Sequence, residues 1–270
     1  MSNLKIFSEN IKINNKRVIV RLDLNVPISK SSIEDSTRIE MIEPFINQLI
    51  EKKAKIILIS HLGRPKGKVV KEMSLNPIFN YLQKSLNSKV YFYKDKIDQN
   101  AIDASNNLKQ GEVLLIENIR FFKEEEDDNE NFAKNLSKLG DFYINEAFSC
   151  SHRKQASLHK ITNYIDSYGG PLLDKETQSI NLIIKNKKKP VTSIIGGSKV
   201  STKINVLLNL SKNTNNLVVV GAMANNFLKF NGLNVGASLL EKGAEDIIKS
   251  IYSSAEKNNC NIIIPIDCIV

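Results

Sequence analysis

Four arginines stand at or just beyond the ends of short apolar runs. Arg38 follows RLDLNVP, Arg64 lies in SHLGRPKG, Arg120 in ENIRFF and Arg153 in NEAFSCSHR. A guanidinium is a planar fork that stays charged and grips carboxylate or phosphate oxygens in pairs. Like charges brought together repel unless an anion lies among them, so convergence of these groups points to a small, multiply charged ligand such as a phosphorylated carboxylic acid. Asn25 and His61 could bond hydroxyl or carboxylate oxygens, and Asp23 could accept from a hydroxyl or hold an arginine in place. Taken singly, each arginine reads as a surface or ion-pairing residue. Their recurrence at one kind of strand end is what carries the anion site. His152, taken alone, reads as a structural or hinge residue.

A second constellation is SIIGGSKVSTKINVLL (193–208). Gly196 and Gly197 permit a tight turn and close backbone approach, and the N-terminus of the helix that follows attracts phosphate. Lys199 and Lys203 are four apart, which predicts that they share one helix face. The segment lacks the G-x-x-x-x-G-K-[ST] spacing of a Walker A loop. VVGAMANNFL (219–228) repeats the strand-glycine-helix order. Gly221 there either lines a nucleotide site or belongs to a helix packed on its sheet. Asp267, after NIIIPI, is either a nucleotide-side residue or part of a turn.

The elements that must position these groups are legible as alternating patterns. Strands are expected at 17–22, 55–60, 89–93, 112–118, 141–148, 190–196, 216–221 and 261–266, where β-branched and apolar residues run together. Amphipathic helical segments are expected at 42–54, 74–86, 129–139 and 172–186, with Ser74 as an N-cap and Pro77 in the first turn. Strand and helix in alternation predict an α/β fold with parallel sheets covered on both faces, and ligands then bind at the carboxyl ends of the strands. The glycine-proline break YGGPLLDKE (168–176) predicts a boundary: a first domain over 1–167, a connector helix over 168–188 and a second domain over 189–270. The lysine cluster KNKKK (185–189) is expected to be a solvated helix end, and the acid run KEEEDDNEN (123–131) an exposed loop and helix N-terminus.

Composition narrows the classes. The 270 residues are 41% hydrophobic and 25% charged, ordinary for a soluble globular chain, and the formal net charge is +9. That charge favours anionic partners, although a Lys-, Ile- and Asn-rich composition supplies much of it without any ligand. Cys150, Cys260 and Cys268 have no metal-ligand spacing and imply a reducing compartment, and three histidines are too few for a His-rich metal site. The N-terminus lacks the apolar core of a signal peptide and no run is long enough to span a membrane, so a cytoplasmic location away from membranes is expected. A basic nucleic-acid binder is the competing class, but RNP-like aromatics, a helix-turn-helix signature and zinc motifs are all missing, so no nucleic-acid partner is expected.

In order and spacing, RVIVRLDLNVP, SHLGRPKG, ENIRFFKEEE, NEAFSCSHR, GGSKVSTKI, GAMANNFL and IPIDCIV resemble the phosphoglycerate kinase family. The resemblance implies two Rossmann-like three-layer α/β/α domains joined by a hinge helix, the second incomplete. It implies a monomer that exchanges one phosphoryl group between 1,3-bisphosphoglycerate and ADP, giving 3-phosphoglycerate and ATP in glycolysis, with Mg2+ on the nucleotide. It assigns Asp23, Asn25, Arg38, His61, Leu62, Gly63, Arg64, Arg120 and Arg153 to the phosphoglycerate. Gly196, Gly197, Lys203 and Gly221 go to the nucleotide, and Arg38 and Lys199 to the transferring group. Glu146 stands where the family usually carries Asp, and Val220 where it usually carries the first of two glycines. The family also continues beyond Val270, with a glutamate for the nucleotide ribose and a GG-D-[ST] loop whose acid binds magnesium. This chain therefore lacks the family's magnesium motif, and residues 1–270 alone are expected to lack appreciable kinase activity. The alternative is a non-catalytic phosphoglycerate-binding fragment.

Overall fold

A computed structural model describes residues 4–30, 32–185 and 188–267. The chain divides into two compact units, Met1–Ile180 and Asn181–Val270.

In the first unit, the apolar runs become strands β1 (Arg17–Arg21), β4 (Lys55–Ile59), β5 (Val90–Tyr93), β6 (Val113–Ile116) and β7 (Phe142–Asn145), and β8 (Asp166–Gly169) is added to them. They form one parallel sheet in the order β5-β6-β4-β1-β7-β8. A short antiparallel pair, β2 (Ile28–Ser29) with β3 (Ser32–Ile33), branches off after β1. The helices are α1 (Thr37–Glu51), α2 (Asn76–Ser85), α3 (Gln99–Asn107), α4 (Lys123–Glu126), α5 (Glu130–Ser137) and α6 (Pro171–Lys185).

Side chains alternate across a strand, so each apolar run feeds two cores. Val18, Val20, Ile56, Leu58, Val113 and Leu115 pack with Ile39, Ile46 and Leu49 of α1 and Ile78 and Leu82 of α2. Ile19, Ile57, Ile59, Leu114 and Ile116 pack on the other face with Ala101 of α3 and Phe132, Ala133 and Leu136 of α5. These are the three layers expected.

Several local expectations need correction. β8 was not anticipated and runs into the first two residues of the stretch read as a break, because DSYG carries no apolar run and is a strand only by pairing with β7. α1 begins at Thr37 rather than 42, which puts Arg38 in its first turn. α2 begins at Asn76 with Leu75 in the cap position; Ser74 lies outside, though its Oγ still accepts from the Asn76 N–H at 3.2 Å. Pro77 does sit in the first turn. α3 was not anticipated, because QNAIDASNN buries only Ala101 and Ser105.

The second unit holds β9 (Thr192–Gly196), β10 (Asn216–Val220) and β11 (Asn261–Ile263) in a parallel sheet of order β11-β10-β9. Helices α7 (Ile204–Asn213), α8 (Ala222–Phe230) and α9 (Glu245–Lys257) accompany it, the last unforeseen. Its core is Val200, Leu207, Leu217, Val219, Met223, Phe227, Ile248 and Ile251. The division between the units falls within α6. Lys188 and Lys189 of the lysine cluster are exposed, whereas Asn186 and Lys187, like Cys268, lie outside the described residues. Among the described residues no helix is long and apolar enough to cross a membrane.

Candidate functional site

In the first unit the chain leaves β1 toward β4 on one side and leaves β7 toward β8 on the other. The carboxyl ends of β1 and β7 therefore lie at a topological switch point, where open α/β sheets leave a crevice. Arg21 ends β1, Asp23 follows it, His61 follows β4, and Ser149 and Arg153 follow β7.

Asp23 is the first organiser. Its Oδ2 accepts from Arg38 Nη1 at 2.7 Å and from the Ser149 hydroxyl. Its Oδ1 accepts from the Asn25 N–H at 3.1 Å and faces His61 Nε2 across 4.0 Å. Burial alone would raise this carboxyl, but the Ser149 and Asn25 hydrogen bonds and the Arg38 charge outweigh it and hold it below its ordinary range.

His61 is buried and kept neutral. Its desolvation, then the cations of Arg21 and Arg120, push its pKa down to about 3; Asp23 opposes and Arg153 adds to the fall. Arg21 is wholly buried and approaches His61 Nδ1 with Nη2 at 3.3 Å. Arg120 is 2% exposed and has its own pKa lowered by burial, then by Arg153 and Arg21. It donates from Nη1 to the Gly63 carbonyl at 2.9 Å, and its buried Nε has no partner. Three guanidiniums thus crowd one neutral imidazole, one of them holding an unused buried donor.

The loop after β4 is fixed from three sides. Asn25 Oδ1 accepts from the Gly63 N–H at 2.8 Å, Asn118 Nδ2 donates to the Leu62 carbonyl at 2.7 Å, and Arg120 takes the Gly63 carbonyl. Gly63 has φ +62°, and a Cβ there would meet Met73 Sδ at 2.8 Å, so glycine avoids both a disfavoured backbone conformation and a contact with Met73. Asp23, Asn25, Arg38, His61, Leu62, Gly63 and Arg120 thus form one connected set, and Arg153 lies near enough for its charge to act on His61 and Arg120. Arg64 is joined to the set through the backbone alone: its side chain is exposed and, among the described residues, has no hydrogen-bond or ion-pair partner. His152 is likewise exposed and, among the described residues, without such a partner.

Sequence reasoning passed over Arg21, Glu125 and Ser157. The signal for Arg21 was available, since a charged residue inside VIVRL has to be buried and paired. For Glu125 the expectation was wrong. It lies in the acid run read as solvated, yet it is wholly buried, with Oε1 accepting from Ser157 Oγ at 2.7 Å and Oε2 from the Ser157 N–H at 2.8 Å. The one-turn helix α4 turns that one side chain inward while Glu124 and Glu126 remain exposed.

Glu146, the residue directly after β7, caps the N-terminus of α6. Its Oε2 accepts from the Leu172 and Leu173 N–H groups at 2.8 and 3.2 Å in the first turn of α6. Its Oε1 is buried without a partner, and burial pushes the carboxyl up to about 7 against those two backbone bonds.

In the second unit β9 runs into the glycine turn, but Lys199 precedes the helix. Ser201–Lys203 is a 3-10 turn and α7 starts only at Ile204. Lys199 and Lys203 therefore do not share a face of one helix, because the tighter turn intervenes. The Ser201 N–H and hydroxyl are both taken by the Glu241 carboxylate. The three glycines do lie together: Gly221 has φ +69°, a Cβ on it would sit 3.4 Å from the Gly197 backbone, and Gly197 O accepts from the Met223 N–H at 2.8 Å. The Val220 side chain closes over Gly196, 3.1 Å from where a Cβ would stand. Among the described residues no group of three or more His, Cys, Asp or Glu side chains is placed to hold a metal ion.

Fold and site together define a doubly wound α/β protein with a cationic crevice at its strand ends and a glycine-lined strand-to-helix turn in a separate unit. Comparison with known proteins is specific. The phosphoglycerate kinase family model matches residues 8–270. The phosphoglycerate kinase of Wolbachia pipientis is 44% identical over 97% of this chain and 66% of its own length, and that of Bartonella bacilliformis 44% over 96% and 64%. The solved phosphoglycerate kinase of Coxiella burnetii superposes with a TM-score of 0.82 at 36% identity, covering 97% of this chain and 66% of its own. The chain belongs to the phosphoglycerate kinase family, and it spans about two thirds of the length of these relatives.

Proposed function

We propose that this protein transfers a phosphoryl group reversibly between 1,3-bisphosphoglycerate and ADP, giving 3-phosphoglycerate and ATP, with the first unit binding the phosphoglycerate and the second the nucleotide. The supporting observation is the crowding of Arg21, Arg120 and Arg153 around a neutral His61, with a buried Arg120 Nε left unpartnered. An anion would offset the mutual repulsion of such a set, and a three-carbon acid with a phosphate offers two anionic ends. Asp23 holds Arg38, and Asn25 and Asn118 hold the 62–63 loop, so the cations are preorganised rather than recruited.

Phosphoryl transfer between an acyl phosphate and a diphosphate needs in-line placement and charge neutralisation more than a general base. Arg38 and Lys199 are the cations assigned to the transferring group. Gly196, Gly197, Lys203 and Gly221 are assigned to the nucleotide phosphates, where glycines allow close backbone approach. Magnesium enters this reading as the nucleotide's counter-ion. A monomer in the cytoplasm belongs to the same proposal.

The second reading, a module that binds phosphoglycerate without catalysing transfer, draws on one observation. The Ser201 N–H and hydroxyl that would greet a phosphate are occupied by Glu241. Titration calorimetry separates the two. The enzyme binds both 3-phosphoglycerate and MgADP and turns over in a coupled assay, whereas the module binds 3-phosphoglycerate alone. Failure to bind 3-phosphoglycerate at all refutes both.

A further inference from the structure

The buried groups behind the crevice form a directional chain. Arg21 is the last residue of β1 and wholly buried. Its Nε donates to Ser157 Oγ at 3.0 Å, Nη1 donates to the Leu22 carbonyl, and Nη2 lies 3.3 Å from His61 Nδ1. Ser157 Oγ in turn donates to Glu125 Oε1 at 2.7 Å, and the Ser157 N–H to Oε2 at 2.8 Å. Burial raises the Glu125 carboxyl, while the Arg21 charge and the two Ser157 bonds favour its ionised form; in that form both oxygens accept, the Ser157 hydroxyl proton is committed toward Glu125 and its lone pairs face Arg21. Tyr143 fixes the same residue from another side, donating its hydroxyl to the Ser157 carbonyl at 2.7 Å.

The chain has a consequence at its far end. A guanidinium carries donors and no acceptor. His61 Nδ1 can meet Arg21 Nη2 only as an acceptor, so the ring proton must sit on Nε2. That nitrogen faces Asp23 Oδ1 at 4.0 Å, beyond hydrogen-bond reach, and among the described residues it makes no hydrogen bond. The groups around the ring are Arg21, Arg120, Arg153 and Asp23, three cations against one anion. They disfavour the imidazolium, and they leave the Nε2–H as a neutral donor in a cationic crevice.

We infer that Glu125 and Ser157 are positioning residues that act through Arg21 to lock His61 as the Nε2–H tautomer, so that its ring donates to an oxygen of the anionic ligand. Neither touches the crevice; their effect runs through the orientation of one guanidinium. A ring in the other tautomer would point a lone pair at the anion and repel it. The tautomer is a property of the free protein, and only the ligand arm rests on the phosphoglycerate reading above.

Long-range proton–nitrogen correlation spectra of protein labelled with 15N-histidine test this directly. In the free protein at pH 7, His61 is expected to be neutral, with a protonated Nε2 and an unprotonated Nδ1. An imidazolium, or a ring protonated on Nδ1, overturns the inference without any variant. In Ser157→Ala and in the isosteric Glu125→Gln, His61 is expected to show a mixture of tautomers, and the Kd for 3-phosphoglycerate to rise about tenfold. A folded variant, judged by its backbone amide spectrum, that keeps the pure Nε2–H tautomer and the parent Kd shows that the residue does not position the ring. Should Ser157→Ala not fold, Glu125→Gln decides the point. If the tautomer results hold while 3-phosphoglycerate fails to bind the parent protein, the functional reading falls and the tautomer assignment stands.

Discussion

Replacing Glu146 by Gln is expected to change how stability depends on pH, and the size of the change follows from the site. The Glu146 carboxyl is buried, uses only Oε2 to cap α6, and has its pKa raised from 4.5 to about 7 by that burial. Below pH 4.5 it is protonated in both folded and unfolded chains. Between 4.5 and 7 the unfolded chain releases the proton first, so rising pH favours unfolding; above 7 the loss is complete. At about 1.36 kcal/mol per pH unit, the folded state gives up about 3 kcal/mol across this window. His61 acts in the opposite sense. Its folded pKa of about 3 means that the unfolded chain binds the proton between 3 and 6.5, so stability rises with pH there. That contribution is shared by parent and variant and cancels in their difference. The glutamine side chain of the variant cannot ionise, so any fixed cost of the amide is independent of pH. Urea denaturation at several pH values, followed through the methyl signals of Ile19, Ile57 and Val113, reads the first unit by itself. The stability of Glu146→Gln relative to the parent is expected to climb by about 3 kcal/mol from pH 4.5 to 7.5. A difference flat within about 0.5 kcal/mol refutes the idea that burial holds this carboxyl neutral.

Other perturbations test neighbouring contacts. Gly170→Ala drives a Cβ into Glu146 Cδ and places it 2.6 Å from Oε1; it is expected to cost about 1–3 kcal/mol by overpacking, read as a lower Tm, and an unchanged Tm would show that the cap can move aside. Gly63→Ala combines a positive φ with a clash at Met73 Sδ and is expected to destabilise by about 1–2 kcal/mol and to weaken 3-phosphoglycerate binding in calorimetry; the companion change Met73→Ala should relieve the steric share only. Glu241→Ala frees the Ser201 N–H and hydroxyl and is expected to tighten MgADP binding several-fold, whereas a weaker or unchanged affinity would show that Glu241 does not compete with phosphate there.

Much of the frame was legible before any coordinates. Ile56–Ile59 and Val113–Ile116 are apolar throughout because both faces of their strands are buried, and no other element suits such short runs as well. Arg38, Arg120 and Arg153 were visible as cations at strand ends, and the glycines of the second unit as a turn. The misses have a common cause. DSYG at 166–169 and QNAIDASNN at 99–107 carry little local preference; each takes its form from a neighbour, β7 for the strand and the sheet face for the helix. Lys199 and Lys203 were placed by helical spacing, and a three-residue 3-10 turn leaves both outside α7. Counting cannot detect a change of helix type at an end.

The amino-acid order by itself determined the class of fold, the alternation of strand and helix, and the residue types able to bind an anion. These follow from hydrophobic period and functional-group chemistry, which are local properties. Only the tertiary structure decided which charges are buried and what each one faces. Arg21 meets Ser157 across 136 positions, and Ser157 meets Glu125 across 32. The acid run held three consecutive glutamates of identical chemistry, and the packing of one helical turn selected Glu125 for the interior. Charge state and hydrogen-bond direction depend on the dielectric and on the partners within a few ångströms. Folding brings those partners together from distant parts of the chain, so no local pattern records them.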